Sequence, residues 1–175
     1  MAGAGGVMCE GWAMATIEVR KRVEGDLDEC VRLLRGVQET AGYPVNWPED
    51  PAHWLTPPDA LGCWVIAVDE RLAGHVALTA NGASDALVER LFVDPKQTGA
   101  GLGRRLLDHC AAVAGEHGRR LGLEVADNCG AAIALYRRAG WQEAGRTPVD
   151  WGRDQASELI RFDAPTESAT AATGS

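Results

Sequence analysis

Residues 86–118 read ALVERLFVDP, then KQTGAGLG, then RRLLDHCAAVAGEHG, and the fold turns on how these three blocks join. The first block is apolar and β-branched and must stop at Asp94-Pro95, because proline has no N–H for a strand ladder. The third places Leu102, Leu106, Cys110, Val113 and Ala114 at the spacing of one helix face. Between them Gly99, Gly101 and Gly103 alternate. The predicted order is strand, glycine-rich turn, helix. Glycine lets main chain approach a ligand closely, and a helix's first turn carries unpaired N–H groups at the positive end of its dipole. Such a place suits an anion, and phosphate is the natural one. Two common phosphate loops fail on spacing. A Walker loop needs Lys after its last glycine, and Arg104 follows Gly103. A dinucleotide fingerprint needs a third glycine where Arg104 or Leu106 stands.

Working outward, the spacing predicts a first strand over 16–23 and a turn at Glu24-Gly25-Asp26. A helix follows to about 39, with Asp26 as N-cap and Leu27, Val31, Leu34 and Val37 on its core face. Residues 42–60 hold five prolines with Tyr43, Trp47 and Trp54, and read as a loop with one short helix near 51–55. This loop is either a functional lid or a segment pinned to the core by its tryptophans. Strands over 62–68, 72–80 and 86–93 form a meander, with turns at Asp69-Glu70-Arg71 and Asn81-Gly82. Downstream come a strand over 121–126, in parallel pairing, a short helix over 130–139 with Gly140 at C′, a strand over 141–146, a loop over 147–154 bearing Trp151, and a last strand over 156–162. The expectation is an α/β fold: one domain over 16–163 with a mixed central sheet flanked by helices. Residues 1–15 and 164–175, small and polar without apolar periodicity, are expected to be disordered.

Seventeen basic against 25 acidic residues give a formal charge of −8, which disfavours a nucleic-acid face. No apolar run reaches the roughly 18 residues of a membrane span. The N-terminus lacks a positive region and contains Glu10, a poor leader; Met8 and Met14 would serve as alternative starts. The five cysteines form no Cys-x-x-Cys and read as reduced, packed thiols, which fits the cytoplasm. No metal site is expected.

Two segments carry a resemblance. LFVDPKQTGAGLGRRLLDHC is similar to the Val-x-Pro and Arg/Gln-x-x-Gly-x-Gly/Ala motif of the GNAT superfamily of N-acetyltransferases. LEVADNCGAAIALYRRAGW is similar to that family's later segment, with Ala132, Leu135, Tyr136 and Gly140 matching. Thr98 stands where the family has Arg or Gln, Asn128 is one place early against Cys129, and Trp141 replaces Phe. The resemblance implies acetyl-CoA as donor and an amine as acceptor, with direct transfer in a ternary complex; no nucleic acid or membrane takes part, and a homodimer is common in the family. It implies that main chain of Leu91, Phe92 and Val93 meets the pantetheine arm, where a bulge splays the fourth strand from the fifth. It implies that Thr98, Gly99, Ala100, Gly101, Leu102, Gly103 and Arg104 meet the pyrophosphate, with Asn128 and Tyr136 also contacting the cofactor.

Amine acetylation needs a neutral amine, a donor for the oxyanion and a proton for the leaving thiolate. Glu89, two and four residues before Leu91 and Val93, is expected on their face as base; the other reading is a rim ion pair. Val93 N–H is the oxyanion donor, and Tyr136 either protonates the thiolate or is a core tyrosine. His75 has two readings, a wall of the acceptor pocket or, as is commoner for a lone strand histidine, simply packed or exposed; His53 is a weaker acceptor candidate, and His109 and His117 are expected in solvent. The Tyr43–Trp54 loop and Trp151 would shape the acceptor pocket. A non-catalytic acyl-CoA sensor on the same fold is the alternative.

Overall fold

The computed structural model describes residues 14–151 and 157–166. The ends expected to be disordered therefore lie outside the described residues at 1–13 and 167–175, as do 152–154 of the expected loop. Where 14–15 and 164–166 are described, they carry no regular element. The chain runs β1 (Ile17–Lys21), α1 (Leu27–Ala41), α2 (Pro51–Trp54), β2 (Ala60–Val68), β3 (Arg71–Asn81) and β4 (Asp85–Val93). It continues α3 (Leu102–Glu116), β5 (Arg120–Ala126), α4 (Gly130–Arg138), β6 (Gln142–Pro148) and β7 (Glu158–Asp163). The strands make one mixed sheet in the order β1-β2-β3-β4-β5-β7-β6, with β4–β5 parallel and the other pairs antiparallel. The expected three-strand meander forms as β2–β3–β4, and β1 pairs along its outer side as an edge strand, with Ile17 opposite Val68.

Local chemistry sets the connections. Asp69 and Glu70 both have positive φ, +48° and +67°, the two-residue turn whose twist matches a hairpin, and Val68 faces Arg71 across it. At the end of α4 the Gly140 N–H donates to Arg137 O (3.1 Å) and the Trp141 N–H to Tyr136 O (3.0 Å), the paired bonds of a Schellman stop, as the sequence predicts. Asp26 departs from its expected role. It occupies the N-cap position in helical geometry and gives α1 no side-chain cap. Its carboxylate turns back instead, accepting from both Arg20 guanidinium nitrogens (2.8 and 2.9 Å) and from the Val23 N–H (2.8 Å). The Arg20 fork holds this carboxyl below its ordinary range.

Two apolar layers sandwich the sheet. α1 and α2 bury Cys30, Leu33, Leu34, Val37 and Leu55 against Val65 and Phe92. Leu27 and Val31, expected on the core face of α1, lie at its margin. α3 and α4 bury Leu102, Leu106, Cys110, Ile133 and Tyr136 against Val76, Leu78, Val88, Leu123 and Phe162. β6 runs two residues beyond its expected end. Every residue of this edge strand is exposed, so no apolar alternation marks it in the sequence. Among the described residues, no helix is long and apolar enough to cross a membrane.

Candidate active site

The parallel ladder between β4 and β5 is short. It runs from Asp85 opposite Arg120 to Val88 opposite Leu123, and no β5 residue pairs with β4 beyond that point. There β4 also breaks register with β3: Ala77 faces Glu89 and His75 faces Phe92, so two steps on β3 match three on β4. The extra residue is a bulge, and Arg90 within it adopts the left-handed φ of +53°. A bulge bends and twists its strand, and β4 leaves β5 here. A cavity of about 750 Å³ occupies the split, a volume suited to a small-molecule site. Its walls come from β4, β5, the C-terminal end of α1, the segment bearing Tyr43, Val45 and Asn46, the start of α4 with Tyr136, and Trp151.

The bulge corrects the expected position of Glu89. Spacing by even steps puts Glu89 on the face of Leu91 and Val93, but that holds only for an unbroken pleat. Here Glu89 and Phe92 oppose Ala77 and His75, which share a face, so Glu89 looks toward α1. Leu91 and Val93 pack with the α3–α4 layer, while Phe92 packs with the α1 layer. Glu89 is half-buried and lines the cavity. Its carboxylate makes no hydrogen bond or ion pair with another described residue, so the rim ion pair is not formed. Its basic neighbour Arg90 turns away, its guanidinium 4.1 Å from the ring centroid of Trp54 and its Nε donating to Trp54 O (3.2 Å).

The glycine-rich turn follows a 3-10 turn at Pro95–Gln97, where Asp94 accepts from the Lys96 N–H (3.0 Å). Gly99 and Gly101 have φ of +87° and +75°, left-handed values that glycine adopts freely. Gly103 serves a different end: a Cβ there would lie 3.1 Å from Leu135 Cδ2, so its absence lets α3 lie close to α4. Gly101 stands at the N-cap of α3 and no side chain caps the helix, which leaves its first-turn N–H groups open to a ligand. The Thr98 hydroxyl is committed to Pro95 O (3.1 Å), so Thr98 does not replace a long basic or amide side chain. Arg104 pairs with Asp108 one turn on (3.2 Å).

Tyr136 lies on the opposite side of the split from Glu89. Only 7% exposed, it packs between Trp141 and Phe162, with ring centroids 6.2 and 5.9 Å away, and also lines the cavity. The core and the catalytic readings of this tyrosine are thus compatible. Burial pushes its phenol above the ordinary range, with Tyr43 and Cys129 adding to the shift. Asn128 and Cys129 both line the cavity; Asn128 is exposed and Cys129 half-buried at the N-cap of α4.

The proline-rich segment divides by residue. Arg35 sits over Trp47 (4.3 Å) and Arg90 over Trp54, so the tryptophans pin the segment, while Tyr43 faces the cavity. Burial pushes the Tyr43 phenol up to about 12. His53 is exposed and does not line the cavity. His109, expected in solvent, is half-buried in edge contact with Trp64, centroids 4.9 Å apart, because α3 packs its side against β2. His117 is exposed. His75 is fully buried: its Nδ1 lies 2.9 Å from Arg90 O and its Nε2 2.8 Å from Arg22 Nη1. Sequence reasoning missed this contact with the bulge. One signal was present, the charged doublet Glu89-Arg90, which interrupts the alternation of an otherwise apolar strand. Among the described residues no cluster of three or more His, Cys, Asp or Glu could hold a metal ion.

Comparison with known proteins bears on the family and the fold. The sequence model of the acetyltransferase (GNAT) family matches residues 29–141. An uncharacterized N-acetyltransferase of Methanocaldococcus jannaschii is 30% identical over 139 residues, covering 73% of this chain and 62% of that protein. The chain thus spans under two thirds of that relative's length. Among solved structures, the ribosomal-protein-S18-alanine N-acetyltransferase of Escherichia coli superposes with a TM-score of 0.71 at 22% identity, covering 91% of this chain and all of that one. An acetyltransferase of Bacillus anthracis in complex with acetyl coenzyme A superposes at 0.66 and 16% identity, covering 86% of this chain and 100% of that one. With the strand–glycine loop–helix unit, the mixed seven-strand sheet and the family match in agreement, this chain belongs to the GNAT acetyltransferase family.

Proposed function

We propose that residues 16–163 form an N-acetyltransferase that moves an acetyl group from acetyl-CoA directly to a primary amine. One observation carries this reading: a single cavity passes through the β4–β5 split and reaches both faces of the sheet, with Glu89 and Tyr43 toward α1 and Tyr136 toward α4. An acceptor and a thioester can meet in such a passage without an enzyme-bound intermediate. The donor end is the uncapped start of α3, whose N–H groups from residues 102–104, with the turn at 98–101, hold the pyrophosphate. Main chain of residues 91–93 has no β5 partner and is free to pair with the pantetheine arm.

The chemistry assigns each residue one task. An alkylammonium loses its proton only near pH 10, so a base must take it first. Glu89, on the acceptor face, takes that proton directly or through a water. The free amine attacks the thioester carbonyl, a C–N bond forms, and the oxyanion accepts from the Val93 N–H. The C–S bond then breaks, the Tyr136 phenol gives its proton to the thiolate, and the surplus proton on the acylated nitrogen passes back to restore the phenol. Its raised pKa keeps that proton in place until the thiolate forms. Asn128 borders the same cavity and contacts the pantetheine arm. A cytoplasmic setting fits four free cysteines among the described residues.

Calorimetry with acetyl-CoA, followed by CoA-thiol release across a panel of primary amines, tests the proposal; absence of acetyl-CoA binding overturns it. For Glu89→Gln we expect kcat/KM to fall roughly 10²–10⁴-fold at neutral pH, the loss shrinking as pH nears the amine's own pKa. An unchanged pH–rate profile removes Glu89 as base. Thr98, with its hydroxyl committed to Pro95 O, favours a second reading as an acyl-CoA sensor, which binding without transfer to any amine would support.

A further inference from the structure

We propose that His75 is a positioning residue for acetyl transfer: its Nδ1–H holds the Arg90 carbonyl, fixing the β4 bulge, while its Nε2 ties that bulge through Arg22 to the end of α2. A guanidinium only donates, so Nε2, 2.8 Å from Arg22 Nη1, must be the acceptor. Nδ1 then carries the proton and donates to Arg90 O at 2.9 Å. The tautomer is fixed by its two partners. His75 is 0% exposed and stacks on Phe92, centroids 5.3 Å apart and planes 19° apart, so the ring has no room to turn over.

The carbonyl it holds belongs to the residue that needs holding. Arg90 has a φ of +53°, a conformation that is unfavourable for a side chain with a Cβ and persists only when its surroundings impose it. His75 fixes its carbonyl, and Trp54 fixes its side chain through the ring and Trp54 O. Arg22 reaches past His75 to donate to Leu55 O (2.7 Å) and to the Thr56 hydroxyl. Bulge and α2 are therefore joined twice, through Arg22–His75 and through Arg90–Trp54. Trp54 in turn touches Tyr43, centroids 6.1 Å apart, and Tyr43 lines the cavity. Loss of the His75 contact frees the bulge, and with it the direction of Glu89 and the unpaired main chain of residues 91–93.

This inference rests on the proposed acetyl transfer for its functional meaning, so the test has arms that need no substrate. In 15N-labelled wild-type protein at pH 7, ring spectra should show His75 as the Nδ1–H tautomer; the Nε2–H tautomer overturns the proposal. In His75→Leu, amide hydrogen exchange should quicken about tenfold or more at residues 89–93 and little in the centre of β2 and α3, with acetyl-CoA affinity falling about tenfold. His75→Asn, whose side-chain amide can replace the Nδ1–H, should recover most of both. Unchanged exchange at 89–93, or equal quickening across the whole sheet, overturns it. Should His75→Leu fail to fold, Arg22→Met gives the second variant: faster exchange at residues 55–56 and 89–93 together supports the link, and change at 55–56 alone overturns it. Failure of the wild-type protein to bind acetyl-CoA sinks the acetyl-transfer reading and leaves the tautomer and exchange results readable.

Discussion

Tyr136 belongs to the core and also lines the cavity, which is what its proposed role in the chemistry requires. Its ring is held by Trp141 and Phe162, so Tyr136→Phe should keep the fold and the acetyl-CoA affinity. Turnover should fall about 10–100-fold, as expected for loss of a proton donor. Stopped-assay kinetics with calorimetry separate the two quantities; wild-type turnover removes the acid role. Because burial raises the phenol's pKa, no alkaline fall in kcat owed to Tyr136 should appear below about pH 10. His75 shifts the other way. Burial lowers it from 6.5 to about 4, with the Arg90 carbonyl opposing and the Arg22 charge assisting the shift. The unfolded chain then binds a proton that the folded one refuses. Stability is complete above about pH 6.5 and is lost as pH falls toward 4. Between pH 7 and 4.5 this amounts to about 2–3 kcal/mol. Urea melts of wild type and His75→Asn at both pH values measure it, and an equal loss in the two proteins would refute the assignment.

At the scale of elements, the β3–β4 pair carries the bulge that shapes the candidate site. Gly74 faces Val93, and a Cβ there would lie 2.8 Å from Phe92 O and 3.0 Å from Ile66 Cγ2. The nearer contact is backbone and cannot swing aside, so β3 lies closer to β4 than any side chain at this position allows. Gly74→Ala should cost about 1–3 kcal/mol in chemical denaturation and weaken acetyl-CoA binding by shifting β4. Stability within experimental error of wild type would mean that the strands give more easily than their packing indicates. The segment between α1 and β2 is the other element that matters. Its tryptophans are held beneath Arg35 and Arg90, and it presents Tyr43, Val45 and Asn46 to the cavity from a pinned frame.

For the whole molecule, the proposed direct transfer needs donor and acceptor bound together, so initial-velocity plots should intersect. Parallel lines, or an acetyl group retained on the protein, would demand a covalent intermediate. The described cysteines argue against one: burial pushes Cys30 and Cys110 up to about 12 and raises Cys63 and Cys129, which keeps these thiols protonated at neutral pH. Much of this architecture was legible beforehand, since turns, caps and helix faces are written in neighbouring residues. Gly99 and Gly101 announced the glycine-rich turn, Gly140 the end of α4, and the spacing from Leu102 to Ala114 the buried face of α3. Asp26 misled because its partners, Arg20 and Val23, are chosen by how β1 meets α1. Glu89 misled because even spacing assumes a regular pleat, and the bulge at Arg90 reverses it. By itself the sequence determined the strand–glycine loop–helix unit, a consequence of short-range chemistry, and pointed to the mixed sheet and the family through the order of its elements and its two motifs. Only the tertiary structure decided which face Glu89 takes, where β4 leaves β5, and that His75 holds the bulge, because strand register is set by residues far apart in the chain.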